Sequence, residues 1–346
     1  MDRIESLFKD ADPFTTWWPF VIALLVGFGM SIRTIMGGRR CPSSYQIEGQ
    51  IAIVTGGASG IGLEVVRAMV ERGGQVIVAC KDMEKAEKSI RIARREIRCK
   101  GGIEAPKIEI RYLDLRSLDC VRRFVRDFIR TYDRLDVLIN NAGVIFHPHE
   151  KTADGFEVHL QVNYLAPFLL THLLLPHLER SKDGGRVINV SAHAHISAKM
   201  AMDDCLNRSS WSPALHPRDA FAHSKLAVIL GTRHLAKELK DTSVTVNVYT
   251  PGLVRGTSHL KRSPIMSAIC VRIITYPWMW LLLKNPFEGA QSAIYLATDP
   301  KFTKISGKYF NDCEESEPSE LGRNDELAER LYAETMRVLE LDRKPE

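Results

Sequence analysis

Ile51-Ala52-Ile53-Val54-Thr55-Gly56-Gly57-Ala58-Ser59-Gly60-Ile61-Gly62 decides the fold. Ile51 to Val54 form a short apolar strand. The glycine-rich turn after it opens a helix over Leu63 to Arg72, which Gly73-Gly74 ends. The glycines are needed for mechanical reasons. They let the turn take positive φ and let backbone amides approach a pyrophosphate, and the helix N-terminus adds partial positive charge. The strand–turn–helix context is what makes this glycine motif informative.

Outward from that unit, strands and helices alternate. Gln75 to Ala79 reads as a second strand and Met83 to Lys100 as a charged helix. Ile108 to Tyr112, Val137 to Ile139, Arg186 to Val190 and Val244 to Tyr249 read as further buried strands. Such alternation predicts an α/β fold: a doubly wound parallel sheet with helices on both faces, in a single Rossmann-fold domain over residues 51–320. A C-terminal helix and tail follow over 321–346, and no internal repeat is visible. Arg91, Arg94, Arg95 and Arg98 share one helical face, read as solvated in preference to membrane-facing.

The N-terminus is of another kind. After a tail over 1–16, no charged residue stands between Asp12 and Arg33, and residues 17–35 are apolar enough for a transmembrane anchor. Trp17-Trp18 suit a membrane interface. Acids precede the segment and Arg33, Arg39 and Arg40 follow it, which predicts that the folded domain faces the cytosol. A cleaved signal peptide fits less well, because the charge order is wrong. Residues 36–50 read as a linker. A second apolar stretch, Ile265 to Leu283, is broken by Arg272 and Pro277, so it reads as an interfacial or lid segment, or as a core helix. Asn207-Arg208-Ser209 is a glycosylation sequon, and a cytosolic domain leaves it unmodified.

Bulk properties exclude other classes. The net charge of +5 is too mild for nucleic-acid binding. Seven scattered cysteines with no C-x-x-C pair argue against a disulfide framework and against a metal site.

Thr55, Gly56, Gly60 and Gly62, then Asp114-Leu115, Asn140 to Gly143, Asn163 and Pro251-Gly252, together resemble the signature of the short-chain dehydrogenase/reductase superfamily. The matches run in order through most of the chain from Ile51 to Phe310. The resemblance implies a nicotinamide cofactor cradled at Gly56, Ser59, Gly60, Ile61 and Gly62. Asp114 and Leu115 would flank its adenine, Asn141, Ala142 and Gly143 would line its pocket, and Pro251-Gly252 would border the nicotinamide. The second strand ends Ala79-Cys80-Lys81-Asp82. A base there favours a 2′-phosphate, so Lys81 favours NADP(H) over NAD(H), with Asp82 placed to oppose it.

The family moves a proton with a tyrosine, lowers that phenol's pKa with a lysine four residues later, hydrogen-bonds the substrate oxygen with a serine, and supports a water relay with an asparagine. This chain reads Phe221-Ala222-His223-Ser224-Lys225. Lys225 and Asn163 are in place, but Phe221 stands at the tyrosine position and has no proton to give. At the strand end Asn189-Val190-Ser191-Ala192, the catalytic serine position falls on Ala192, and a one-residue shift would bring Ser191 into use. Substitute donors are His193, His195 and Tyr249; His223 points about 160° away from Phe221 on a helix. A Thr or Ser is usual five residues after the proline of Pro251-Gly252, where this chain has Gly256 followed by Thr257.

Lys151 to Glu157, Asn163 to Leu170, His223 to Ala227, Glu288-Gly289-Ala290 and Ser306 to Phe310 resemble the retinol dehydrogenase branch. Met202-Asp203-Asp204 through Trp211-Ser212-Pro213 is also similar to the X-linked, polyprenol-type dehydrogenase/reductases. Both imply a hydrophobic retinoid or isoprenoid ligand, which a membrane anchor suits; the apolar N-terminal segment, just long enough for a thin bilayer, points to the endoplasmic reticulum; homo-oligomers are common in the family. Two functions stay open at this point. One is a nucleotide-binding protein with weak or lost catalysis, and the other is an active dehydrogenase-reductase with a non-standard proton donor.

Overall fold

The computed structural model describes residues 18–99, 106–206, 216–255 and 277–342. The N-terminal tail, the sequon at Asn207, Trp211-Ser212-Pro213, Gly256-Thr257 and the apolar stretch as far as Tyr276 lie outside the described residues.

Helix α1, Trp18–Met36, is 19 residues long and keeps Phe20, Leu24, Leu25 and Phe28 exposed. By length and composition it is a candidate membrane span. The domain then runs β1 (Ile51–Thr55), α2 (Gly60–Glu71), β2 (Gln75–Cys80), α3 (Met83–Cys99), β3 (Ile108–Tyr112), α4 (Leu118–Thr131) and β4 (Val137–Asn140). After β4 comes a long helix, α5, whose parts are Val158–Leu160, a π-turn at Gln161–Leu165 and Ala166–Leu178. It is as apolar as a span but lies inside the core. Strand β5 (Arg186–Val190), α6 (Pro217–Glu238), β6 (Thr245–Thr250), α7 (Pro286–Thr298), β7 (Tyr309–Asn311), β8 (Glu314–Ser316) and α8 (Asp325–Val338) complete the fold.

The sheet order is β3-β2-β1-β4-β5-β6-β7-β8, parallel except for β8. The order reverses between β1 and β4, which opens a crevice at the carboxyl ends of the strands. One apolar layer joins the sheet to α2, α3 and α7, with Val54, Val66, Met69, Ile90 and Ile294 fully buried. The other joins it to α4, α5, α6 and α8, with Phe128, Leu165, Leu169, Leu226 and Leu331 fully buried. Strands covered on both faces read as nearly unbroken apolar runs, as β1, β2 and β4 do.

The structure moves several expected boundaries. Helix α2 begins at Gly60, not Leu63, so that its first turn takes in Gly60, Ile61 and Gly62. Helix α8, expected beyond the end of the domain at residue 320, packs Leu327 and Leu331 into the shared core. The linker is tied down at its far end, where Ile47 is buried and its N–H donates to the carbonyl of Arg72 at 2.8 Å. Arg94 of the arginine face donates to the carbonyl of Ile108, whereas Arg91, Arg95 and Arg98 are exposed as solvated charges.

Candidate functional site

The glycine turn is built from close approaches. Gly56 has φ +66° and Gly60 has φ +57°, the left-handed region that favours glycine. A Cβ on Gly62 would stand 2.5 Å from both the Gly56 carbonyl oxygen and Asn141 Nδ2, so no larger side chain fits there. Asn141 Nδ2 donates to the Thr55 carbonyl at 3.0 Å, and the Ala142 N–H donates to Thr55 Oγ1 at 3.0 Å. The loop after β4 is thereby stitched to the end of β1. Ser59 caps α2 with its backbone, and its side chain makes no cap hydrogen bond. The first-turn N–H groups of α2 therefore keep their donor capacity for an anion, which fits the pyrophosphate of a dinucleotide.

At the end of β2, Lys81 is exposed and has no hydrogen-bond or ion-pair partner among the described residues. Asp82 follows it directly. Its carboxylate accepts from the Lys85 N–H at 3.0 Å, serving as a cap on α3. Asp114 Oδ1 accepts from the Arg116 N–H at 3.0 Å, and Leu115 is buried beside it. Gly252 has φ +75°, which lets the chain turn away after Pro251, and Lys284 packs against it.

The second half of the site sits where α5 and α6 cross the end of β5. The π-turn of α5 presents Asn163 inward. Asn163 Oδ1 accepts from the Val144 N–H at 2.8 Å, and Asn163 Nδ2 donates to the Val144 carbonyl at 3.0 Å and to Ser224 Oγ at 2.9 Å. A π-turn of this sort is a frequent mark of a functional position. Lys225 projects from α6 into the same space. Its Nζ donates to the Val190 carbonyl at 2.8 Å, and burial pushes its pKa down to about 8. Gly143 leaves room beside it, since a Cβ there would stand 3.0 Å from Asn163 Oδ1 and 3.6 Å from Lys225 Nζ.

Phe221 lies one turn before Lys225 and is 4% exposed. Lys225 Nζ is 5.9 Å from its ring centroid. The ring also meets Phe146 edge-on at 5.7 Å and His159 at 6.3 Å. His159 and Ser224, next to this ring, have their protons engaged elsewhere. His159 Nδ1 pairs with Glu157 Oε1 at 2.7 Å, and its Nε2 accepts from the His147 N–H at 3.0 Å. Burial works to raise the Glu157 carboxyl, but the hydrogen bond and charge of His159, with two backbone N–H groups, hold it below the ordinary value. Ser224 Oγ donates to the Phe221 carbonyl at 2.8 Å.

The serine position is equally spent. Ser191 Oγ is buried and donates to the Lys225 carbonyl at 2.8 Å, and the Ser191 N–H donates to the Tyr249 carbonyl. Ser191 follows directly on the β5–β6 ladder, which runs in register through Val190 and Tyr249. Ala192 begins the short 3₁₀ turn that follows. Of the other donors weighed from the sequence, His195 Nδ1 bonds the Ala192 carbonyl and its Nε2 accepts from the Ser319 N–H. Tyr249 is packed in the layer of α2 and α7, on the sheet face away from α6, where burial pushes its phenol up. His223 is buried, and burial pushes its imidazole down to about 4. His193 is exposed and has no hydrogen-bond or ion-pair partner among the described residues.

The His159–Glu157 pair and Phe146 leave no signal in the sequence: Glu157 lies within the Lys151 to Glu157 stretch that resembles the retinol dehydrogenase branch, and two buried groups two residues apart carry no periodic pattern.

Residues 50–202 match the short chain dehydrogenase family. Retinol dehydrogenase 13 of Mus musculus is 37% identical over 322 residues, covering 93% of this chain and 93% of its own length. Retinol dehydrogenase 12 of Homo sapiens is 39% identical over 302 residues, covering 87% and 90%. Among solved structures, the Pseudomonas aeruginosa RhlG/NADP active-site complex is similar with a TM-score of 0.57 and 27% identity, over 76% of this chain and 94% of that one. The chain belongs to the short-chain dehydrogenase/reductase superfamily, as an oxidoreductase-type protein of the retinol dehydrogenase kind.

Proposed function

We propose that the protein is a membrane-anchored member of the retinol dehydrogenase branch that binds NADP(H) and has weak or lost turnover. The observation that carries this reading is Phe221: a buried phenyl ring stands where the family's proton-moving hydroxyl should be, and the neighbouring His159, Ser191 and Ser224 have their protons engaged. Losing a general acid costs roughly 10²–10⁴-fold in rate.

The residues fit a dinucleotide. The turn at Gly56, Ser59, Gly60, Ile61 and Gly62 with the α2 N-terminus would hold its pyrophosphate, Asp114 and Leu115 its adenine, Lys81 its 2′-phosphate, and Lys225 its ribose. Asn141, Ala142, Gly143, Pro251 and Gly252 would border the rest. A bound nicotinamide would supply or accept hydride at that crevice. The hydrophobic ligand would be of the retinoid or isoprenoid class, and α1 would anchor the protein in the endoplasmic reticulum membrane with the domain facing the cytosol.

A second reading, an active enzyme with a relocated donor, is favoured by one observation: His193, exposed and without a hydrogen-bond or ion-pair partner among the described residues, follows Ala192 directly. To test the first reading, NADPH and NADH are titrated into the membrane-bound protein, and reduction of retinal and of a polyprenal is followed in parallel. Tight NADPH binding with negligible turnover supports it. Turnover at an ordinary enzymatic rate that His193→Ala abolishes replaces it with the second.

A further inference from the structure

Helix α1 does not simply lead away from the domain; its last turn is locked onto it. Arg33 is buried, and its Nη2 lies 2.5 Å from both carboxylate oxygens of Glu288. Glu288 is itself fixed as the third residue of α7, in a capping box with Asn285. Gly37 then packs on Glu288, and Gly38, at φ +72°, passes the ion pair of Lys284 with Asp312 so closely that a Cβ would meet either side chain. Two further ties follow: the Cys41 N–H donates to Gln291 Oε1 at 2.9 Å, and Arg39 pairs with Glu314 at 2.6 Å. An exposed apolar helix joined through a stretch held this tightly has its direction set by the domain.

Beside this lock the domain shows an apolar surface. Residues 277–282 are helical, and Trp278 is 64% exposed, with Trp280, Leu282, Phe287 and Leu253 also exposed. Exposed tryptophans in such a cluster are costly in water and favourable at a lipid headgroup layer. The two features are joined through one ring. The guanidinium of Arg33, on α1, and that of Arg255, on the loop after β6, each lie 6.0 Å from the centroid of Trp280. Arginines paired in this way at the end of an apolar helix suit the level where acyl chains meet phosphates, and Arg40, exposed just beyond, adds positive charge on the same side.

We propose that the Arg33–Glu288 pair is an orienting clamp, which presses the surface of Trp278, Trp280, Leu282 and Phe287 into the bilayer interface on the side where α1 enters. The occupant of this surface is the lipid surface itself. The domain therefore rests on the membrane with the Pro251–Gly252 side of its crevice toward the lipid, instead of swinging on a free tether. The inference rests on α1 being a membrane anchor.

The test uses the full chain in phosphatidylcholine vesicles. Trp17, Trp18 and Trp211 are replaced by Phe, which leaves Trp278 and Trp280 as the only tryptophan emitters among the five. Lipids brominated high on the acyl chain should quench this emission more than lipids brominated near the chain end. Glu288→Gln keeps a capping side chain at its position but loses the charge. In that variant the shallow quenching should fall while resistance to carbonate extraction persists. No quenching in protein that resists carbonate overturns the proposal and leaves the anchor intact. Unquenched tryptophans that instead become protected by cross-linkable dimers overturn it in favour of a second copy as occupant. Quenching unchanged by Glu288→Gln overturns the clamp. Release of the protein by carbonate refutes the anchor, and the proposal with it.

Discussion

The two halves of the crevice lie at the same end of one sheet, yet they differ in what their side chains have left to offer. In the nucleotide half, donor capacity is free: the α2 N-terminus has no side-chain cap, Lys81 has no hydrogen-bond or ion-pair partner among the described residues, and Gly56 and Gly62 let the backbone pack where a Cβ would collide. In the half around Phe221, most hydrogen-bonding capacity is engaged internally, by His159 with Glu157, by Ser191 with the Lys225 carbonyl, and by Asn163 with Val144 and Ser224, while Lys225 Nζ donates to the Val190 carbonyl. A site that binds keeps its polar groups available, whereas a site that has lost its reacting hydroxyl can close its remaining groups on one another. Phe221, packed against Phe146 and His159, fills the middle of that closed network with apolar surface.

The comparison can be broken most forcefully from the nucleotide side. Gly62→Val puts atoms 2.5 Å from the Gly56 carbonyl. Overpacking of roughly 1–3 kcal/mol should weaken NADPH binding by about 10- to 100-fold in a fluorescence titration, with the fold retained by circular dichroism. Unchanged affinity would mean that the turn does not hold the nucleotide. On the catalytic side, Glu157→Leu leaves His159 buried without its partner. Roughly 1–3 kcal/mol of stability should be lost in urea unfolding, while NADPH affinity is held within error, which separates the two halves energetically. A parallel loss of affinity would show that they are coupled.

Smaller effects sharpen the picture. Lys81→Ala removes a charge-assisted contact to a 2′-phosphate. It should weaken NADPH by about 10-fold or somewhat more and leave NADH unaltered, since such bonds contribute roughly 1.5–3 kcal/mol. Equal effects on both nucleotides would assign Lys81 to the solvent. The smallest expected effect concerns Lys225. Burial lowers its pKa to about 8 from 10.5, so between those values the native lysine is neutral while the unfolded chain still holds its proton. That difference makes the Lys225 contribution to stability rise with pH across the window. Cys80, Cys205 and Cys313, pushed up to about 11 by burial, act with the opposite sign. The measurement is therefore the difference between wild type and Lys225→Met in urea midpoints at pH 7.5 and pH 10. The advantage of Lys225→Met should shrink as pH rises, and a constant difference would contradict the buried lysine.

Much of this was legible from residues alone, and the reasons differ by element. Strands β1, β2 and β4 are largely buried, so each is a nearly unbroken apolar run bounded by turn residues, whereas β3, β5 and β6 mix polar residues with Ile and Val; all six ends agree within a residue or two. The glycine turn was legible because positive φ and close backbone approach leave a residue-type signature. Strands β7 and β8 are three residues each, too short to show any period, and the latter lies at the sheet edge. At the site, Phe221 and Ala192 could be placed by their spacing from Lys225 and Asn189. Partners could not be. That Ser191 turns to a helix carbonyl, that Asp82 caps α3, and that Arg33 reaches Glu288 across 255 positions are facts of tertiary packing with no local trace.

The most direct test of the central claim is hydride transfer from NADPH to retinal and to a polyprenal by the membrane-bound wild type beside Phe221→Tyr, with nucleotide affinity recorded for both. The account expects equal affinities, negligible turnover in the wild type, and a gain of roughly 10²–10⁴-fold when the hydroxyl is restored four residues before Lys225. Turnover by the wild type at an ordinary rate, unimproved by tyrosine, would contradict it.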